Sequence, residues 1–335
     1  MDSSRSSLIV VAALLVGVAA HAGGAQFKFD KQDVTFQSGA IRMAGTLYAP
    51  RTKQPVPAVV LIHGSGQTDR SSLDYFAKFF AENGMAALAY DKRGVGKSEG
   101  PPFAWRDFSF DDLASDAAAG VAMLRERPGI DRARVGIFGG SQGGWVAPLA
   151  ARKAGGVPFL VLVSASVSTV AADNLFERSA RLHKEGFTDS EVAAAHAMHV
   201  VDNDVSRTGA RFDEFQRLWD ENKTKRWFRR VYLDDRPSPP QSPYRRWYRS
   251  VMDFDPVPVL RELETPAIWL FGDAELDHLS PVRQSTATLE ELRGSGKDYE
   301  VRVFPGADHS LQMGKKEAPW RAPVADWLRK HGVIQ

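Results

Sequence analysis

The chain of 335 residues contains no cysteine. Disulfides, a thiol nucleophile, thiolate metal sites and a cysteine-linked lipid anchor are therefore excluded. Charge of one sign is lacking too: 43 lysines and arginines meet 41 acids, for a formal net charge of +2. So small an excess gives no electrostatic reason to expect nucleic acid or an anionic membrane as partner. No histidine pair stands at helical ligand spacing around a glutamate, so metal catalysis has no basis in the sequence and no cofactor is expected. The one long apolar run, Leu8 to Ala20, is too short to span a bilayer comfortably.

That run belongs instead to a three-part leader. Arg5 lies in a short polar start, the apolar stretch follows, and Ala20-His21-Ala22 supplies small residues for cleavage after Ala22. Residues 1–22 are expected to be a secretory signal peptide. The mature chain is then expected to be periplasmic or secreted, with no stable membrane insertion once the leader is removed.

What remains suits a large buried core, at 43% hydrophobic and 25% charged residues. Two strands, Asp33–Gln37 and Arg42–Tyr48, read as an opening hairpin. Ala58–Ile62 is a continuous apolar run, the mark of a strand buried on both faces. Similar runs recur at Ala86–Tyr90, Val135–Phe138, Phe159–Val163, Ala267–Phe271 and Val301–Phe304. Helical patterns fall between the early ones, at Leu73–Asn83, Phe110–Glu126 and Gly143–Lys153. Strands alternating with helices imply a mostly parallel sheet covered on both faces, an α/β fold.

The alternation stops after Val163. Residues 168–263 hold no buried-strand run; they are charged, helix-prone and rich in large aromatics such as Trp219, Trp227 and Trp247. Because sheet elements stand on both sides, this segment is expected to be a helical cap inserted between two parts of one core, residues 23–167 and 264–335. The basic aromatic runs at 225–230 and 245–249 are read as amphipathic helices with aromatics packed down and arginines solvated.

The chemistry concentrates at Gly139-Gly140-Ser141-Gln142-Gly143-Gly144, which contains G-x-S-x-G between a strand and a helix. A nucleophile on so sharp a turn needs a strained backbone and small neighbours. It then sits beside the positive end of a helix. A serine hydroxyl also needs a base within hydrogen-bond reach. His309, in the loop after the last strand, has the required place in the chain order. The acid that orients it should follow Ala267–Phe271, where Asp273, Glu275 and Asp277 stand in one loop. Asp277 is preferred, because Pro281 opens the next helix and leaves it mid-loop; Glu275 is the alternative acid. An oxyanion needs two donors, expected at the amides of Gln142, next to the nucleophile, and Ser65 in His63-Gly64-Ser65-Gly66. His63 is read as a brace for that loop. Gly96-Lys97-Ser98 ends like a phosphate-binding loop, but the glycine that motif needs five residues earlier is Asp91.

With these segments in view, the chain resembles the capped bacterial α/β-hydrolases grouped with serine aminopeptidase-like and carboxylesterase-type hydrolases. The likeness rests on HGSGQTDR from His63, YDKRGVGKS from Tyr90, GGSQGGWVAP from Gly139, FGDAELDHLSP from Phe271 and FPGADHSL from Phe304. It implies the α/β-hydrolase fold, the triad Ser141, Asp277 and His309, and the donors Ser65 and Gln142. It also implies that Asp91, Arg93 and Gly94 shape a turn without taking part in chemistry. The family usually places its acid about three residues after the strand-end glycine, whereas Asp277 lies five after Gly272, which keeps Glu275 in contention.

The expected activity is cleavage of a small-molecule acyl ester through an acyl-enzyme. An aminopeptidase or amidase on the same triad is the alternative, for which Asp202, Asp204, Asp234 and Asp235 offer an acidic cluster. A catalytically silent hydrolase-like binding protein is the rival from another class.

Overall fold

The computed structural model describes residues 26–101, 108–232 and 234–335. The proposed leader lies outside the described residues.

Strands β1 (Phe29–Ser38) and β2 (Ile41–Pro50) form an antiparallel hairpin. Then come β3 (Val56–Ile62), α1 (Asp74–Glu82), β4 (Ala86–Tyr90), α2 (Phe110–Glu126), β5 (Ile130–Gly140), α3 (Gly143–Lys153) and β6 (Leu160–Val163). Helices α4 (Val170–Lys184), α5 (Asp189–Thr208), α6 (Phe212–Asn222), α7 (Phe228–Val231), α8 (Pro243–Val251) and α9 (Val257–Glu262) follow before the sheet resumes. The chain closes with β7 (Ala267–Phe271), α10 (Val282–Gly294), β8 (Tyr299–Val303) and α11 (Arg321–Lys330), apart from a two-residue hairpin at 312–317.

Among the described residues, the main sheet has eight strands in the order β1-β2-β4-β3-β5-β6-β7-β8. From β4 to β8 every neighbouring pair is parallel, while β2 meets β4 antiparallel. Residues along each central strand alternate between two cores. Ala58, Val60 and Ile62 of β3 pack with α2 and α3, whereas Val59 and Leu61 pack with α1 and α11. Burial on both faces explains why the apolar runs mark these strands so plainly.

Differences from the expected spans lie at strand ends. β5 begins at Ile130, five residues before its apolar run, because Val56 of β3 pairs with Ile130 across a bulge. Asp131, Arg132 and Arg134 in that extension are charged, so the pattern hides it. β8 starts at Tyr299 and stops at Val303, shifted towards the amino end by its ladder with Ala267–Phe271.

Helices α4 to α9 are inserted between β6 and β7, which are neighbours in the sheet. Helices α5 to α7 and the end of α4 share a separate core, in which Trp219, Phe228 and Tyr232 meet edge to face or tilted, together with Phe215 and Trp227, whereas α8 and α9 pack into the main core with α2 and α3. Their ends are capped from the sequence. Thr169 caps α4 through the amide of Ala172, and Thr188 forms a reciprocal capping box with Glu191 at α5. Pro243 occupies the first turn of α8 behind the Ser242 cap.

One expectation about the basic aromatic runs fails. Arg226, Arg229, Arg230 and Arg246 keep exposed side chains, but Arg245 is buried at 1% exposure. Its guanidinium donates to the Asp202 carboxylate at 2.7 Å, to the Asp202 carbonyl, to Ser206 Oγ and to the Ser238 carbonyl. Four acceptors in a fork geometry make burial of this one arginine tolerable.

Candidate active site

Loops from the carboxyl ends of β3, β5, β7 and β8 meet above the sheet, on both sides of the point where the strand order reverses. At the end of β5, Ser141 has φ of +51°, a left-handed conformation rare for a side chain larger than hydrogen. Its N–H donates to the Val163 carbonyl at 2.9 Å, and the Gly144 N–H donates to its carbonyl at 2.8 Å. These bonds hold the strain in place. A β-carbon on Gly139 would lie 2.5 Å from the Gly143 carbonyl oxygen, and one on Gly143 would lie 2.8 Å from the Ile62 oxygen. The turn is too tight for any other residue at either position.

His309 stands in the loop after β8. Its Nδ1 is 3.0 Å from Asp277 Oδ1 and 3.1 Å from Oδ2. Asp277 is fully buried, and its Oδ1 also accepts from the amides of Leu279 and Ser280 at 3.0 Å each. A buried carboxylate is tolerable when its lone pairs are taken up in this way. Two serines hold the histidine loop as well. Ser164 Oγ donates to the His309 carbonyl at 2.6 Å, while Ser280 Oγ lies 3.2 Å from His309 Nδ1 and donates to the Ser164 carbonyl.

The other carboxylates of the β7 loop face elsewhere. Glu275 is exposed and paired with Arg283. Asp273 accepts from the amides of Glu275 at 3.0 Å and Gly306 at 2.9 Å, which ties the β7 loop to the β8 loop. Those amide bonds hold its carboxyl below the usual range.

Ser65 and Gln142 both border a cavity of about 480 Å³ that Ser141 also lines. Among the described residues, nothing accepts the amide N–H of either. Gly64 runs beside the nucleophile: a β-carbon there would be 3.4 Å from Ser141 Cβ and 3.8 Å from its Oγ. A second cavity of about 380 Å³ lies on the histidine side, lined by His309, Tyr75, Phe76 and Phe138, and Ser141 borders this one too.

The segment after β4 supports the β3 loop. Lys92, 3% exposed, donates from Nζ to the Gly64 carbonyl at 2.5 Å, the Gly66 carbonyl at 3.1 Å and Gln142 Oε1 at 3.2 Å. Burial pulls its ammonium down to about 7. His63 is buried against Tyr90 and contacts the Tyr90 carbonyl through Nε2. Burial first, and the Lys92 charge second, pull its imidazole down to about 3. Asp91 binds Arg70 through two nitrogens and accepts from the Lys97 amide; Arg93 binds Asp116 in the same forked manner. Gly94, at φ of +70°, completes this turn.

The acidic cluster suggested for an amine lies apart from Ser141. Asp202 is taken by Arg245, Asp204 by Arg207 and Arg211, and Asp235 by Arg229. Asp202 and Asp234 line a separate cavity of about 220 Å³. Among the described residues, the carboxylates that do border the cavity of about 480 Å³ are Asp173 and Glu177 of α4. Sequence reading missed these two, along with Lys92, Ser164 and Ser280. Each lies in a segment whose pattern is fully explained as a helix turn or a loop.

Ser141 on its strained strand-to-helix turn and the aspartate-bound His309 border one cavity at the carboxyl edge of the parallel sheet. Residues 59–322 match the model of the alpha/beta hydrolase family, and the chain belongs to that family. It is 29% identical over 314 residues to esterase EstD of Thermotoga maritima, covering 91% of this chain and 65% of that one. It is 38% identical over 112 residues to the quorum-quenching protein AidA of Acinetobacter baumannii, covering 33% and 36% of the two chains. These matches span between about a third and two thirds of the relatives' own lengths. The proline iminopeptidase of Mycobacterium smegmatis shares the fold at a TM-score of 0.58 and 19% identity, over 90% of this chain and 98% of that one.

Proposed function

We propose that this chain is a serine hydrolase that cleaves carboxylic esters of small molecules through an acyl-enzyme. Ser141 is the nucleophile, His309 the base, Asp277 the orienting acid, and the Ser65 and Gln142 amides form the oxyanion hole. The observation that carries the reading is the hydrogen bond from His309 Nδ1 to the buried Asp277 carboxylate, with Ser141 on the wall of the cavity that His309 also lines.

With Nδ1–H held by Asp277, the lone pair of His309 is on Nε2, the tautomer a general base needs. His309 Nε2 takes the Ser141 proton as Oγ bonds to the ester carbonyl carbon. The carbonyl oxygen becomes an oxyanion that accepts from the amides of Ser65 and Gln142. Each such donor is worth roughly 3–4 kcal/mol of transition-state stabilisation. On collapse the C–O bond to the alcohol breaks, and His309 returns its proton to that oxygen. A water molecule then gives a proton to His309 and its hydroxide to the acyl carbon; the bond from that carbon to Ser141 Oγ breaks, His309 returns the proton to Oγ, and the carboxylic acid leaves. Helices α4 to α9 act as a cap over the acyl cavity, since Asp173 and Tyr248 from them border it. Export to the periplasm or medium is part of the same reading and rests on the leader pattern of residues 1–22.

A fluorophosphonate probe tests the chemistry. Labelling of the wild-type chain, lost in Ser141→Ala with folding intact, supports the enzyme. An inert wild-type chain supports a hydrolase-like binding protein. Hydrolysis of p-nitrophenyl esters compared with aminoacyl anilides tests the bond cleaved, and activity confined to anilides would make the chain an amidase or aminopeptidase.

A further inference from the structure

Ser141 stands between two cavities of different character. The one on the histidine side is walled by Tyr75, Phe76 and Phe138. The one on the oxyanion side is walled by Trp145 and Tyr248, but also by the carboxyl groups of Asp173 and Glu177. His309 must deliver its proton to the departing alcohol, so on the proposed mechanism the alcohol leaves on the histidine side. The acyl group then occupies the cavity that Asp173 borders.

Asp173 is unusual there. It lies in the first turn of α4, is only 8% exposed, and its Oδ1 is buried with no hydrogen bond from any described residue. The nearby Ser166 hydroxyl is engaged with Ser168. Buried carboxyl oxygens nearly always find a donor, and one that does not is a place where folding has left a cost uncompensated. The groups acting on it do not remove that cost. Burial, with Glu177 and Asp277 adding to it, pushes its carboxyl up to about 7 against the opposing influence of Ser166 and His309. The cations of the same helix are occupied, Arg178 with His199 and Arg181 with Glu177 and the Arg230 carbonyl.

We propose that Asp173 is a substrate-binding residue that accepts a hydrogen bond from a hydroxyl or ammonium group on the acyl portion of the ester, so that the preferred substrates are hydroxyacyl or aminoacyl esters and not plain alkanoates. The proposal rests on the serine-hydrolase reading above. A site built to bind a donor discriminates strongly against the analogue lacking it, because the acceptor is then left buried and unpaired.

The test compares ethyl butanoate with its 3-hydroxy and 3-amino derivatives, and ethyl hexanoate with its 6-hydroxy and 6-amino derivatives, by pH-stat at pH 8. At least one substituted ester is expected to exceed its parent at least tenfold in kcat/KM. In Asp173→Leu that ratio is expected to fall to about one. Asp173→Asn separates the two donors: an amino preference disappears with the charge, whereas a hydroxyl preference partly survives. Equal kcat/KM across each wild-type series, or a preference that persists in Asp173→Leu, would overturn the proposal while leaving the hydrolase reading intact. If no ester is hydrolysed, or if Ser141→Ala retains activity, the hydrolase reading itself falls and takes the proposal with it. Folding supplies an independent readout. An acid raised in the folded state costs stability once it ionises, so Asp173→Asn is expected to melt at or above the wild-type temperature at pH 8. A marked fall in that temperature would make Asp173 a structural residue and reject the assignment.

Discussion

The Nδ1 of His309 sits 3.0 Å from one oxygen and 3.1 Å from the other of Asp277, a carboxylate with no exposed surface. Glu275, two residues earlier in the same loop, is turned to solvent against Arg283. Asp277→Asn is therefore expected to lower kcat by about four orders of magnitude, as loss of the orienting acid does in serine proteases. Glu275→Gln is expected to stay near wild type. Steady-state rates on a p-nitrophenyl ester decide between them, and the reverse ranking would give Glu275 the role.

Lys92 joins the two halves of the proposed oxyanion hole. It holds the carbonyls on either side of Ser65 and the side chain of Gln142 from one buried ammonium. Lys92→Met leaves those acceptors without their donor and frees the Ser65 amide to move. A displacement of about 1 Å at such a donor can cost about 100-fold in rate. The loss is expected in kcat with KM little changed, because the oxyanion bond is made fully only in the transition state. An increase confined to KM would show that Lys92 supports binding instead.

How much of this was legible in the sequence depended on whether a residue's role leaves a local pattern. Strands β3 and β7 are legible nearly to the residue because burial on both faces demands unbroken apolar runs. Ser141 and the loop holding Asp277 follow such strands, and His309 follows the last strand, β8, whose sequence alternates and is half-exposed. The choice of Asp277 over Glu275 depended on a loop geometry that spacing leaves open, since the amides of Leu279 and Ser280 are what turn Asp277 inward. Asp173 left no trace. An acid in the first turn of a helix is expected there for its dipole alone. Only three-dimensional packing shows that its carboxyl is buried at a cavity wall. The burial of Arg245 is hidden from the sequence for the same reason, as its acceptors come from α5 and from the loop before α8.

His63 gives a pH prediction with a definite sign. Its imidazole is held neutral down to about 3 in the folded chain, whereas an unfolded histidine titrates near 6.5. Between those values the unfolded state binds a proton that the folded state refuses, so stability falls as the pH drops through that window. His63→Gln removes this contribution. The stability gap between wild type and variant should therefore narrow on acidification from pH 7 towards pH 4, by an amount on the order of a few kcal/mol. Urea unfolding at several pH values measures it. A gap constant with pH would mean that burial of His63 does not resist protonation.

The buried pair of Arg245 and Asp202 sets up the last test. Arg245→Met keeps the volume of the stem but leaves Asp202 charged, buried and without its partner guanidinium. Breaking one side of a buried pair typically costs about 3–5 kcal/mol. Burial already raises the Asp202 carboxyl above its usual range, with Arg245 as the first opposing influence. Removing that influence makes the acid bind its proton more tightly, so the Arg245→Met deficit should grow as the pH rises. The double variant Arg245→Met with Asp202→Leu removes both charges. It is expected to recover much of the loss, because two apolar side chains of similar size can replace a buried ion pair at little cost. Chemical denaturation of the two variants beside wild type reads the outcome. A double variant less stable than Arg245→Met alone would mean that the unpaired Asp202 carboxylate is not the source of the loss.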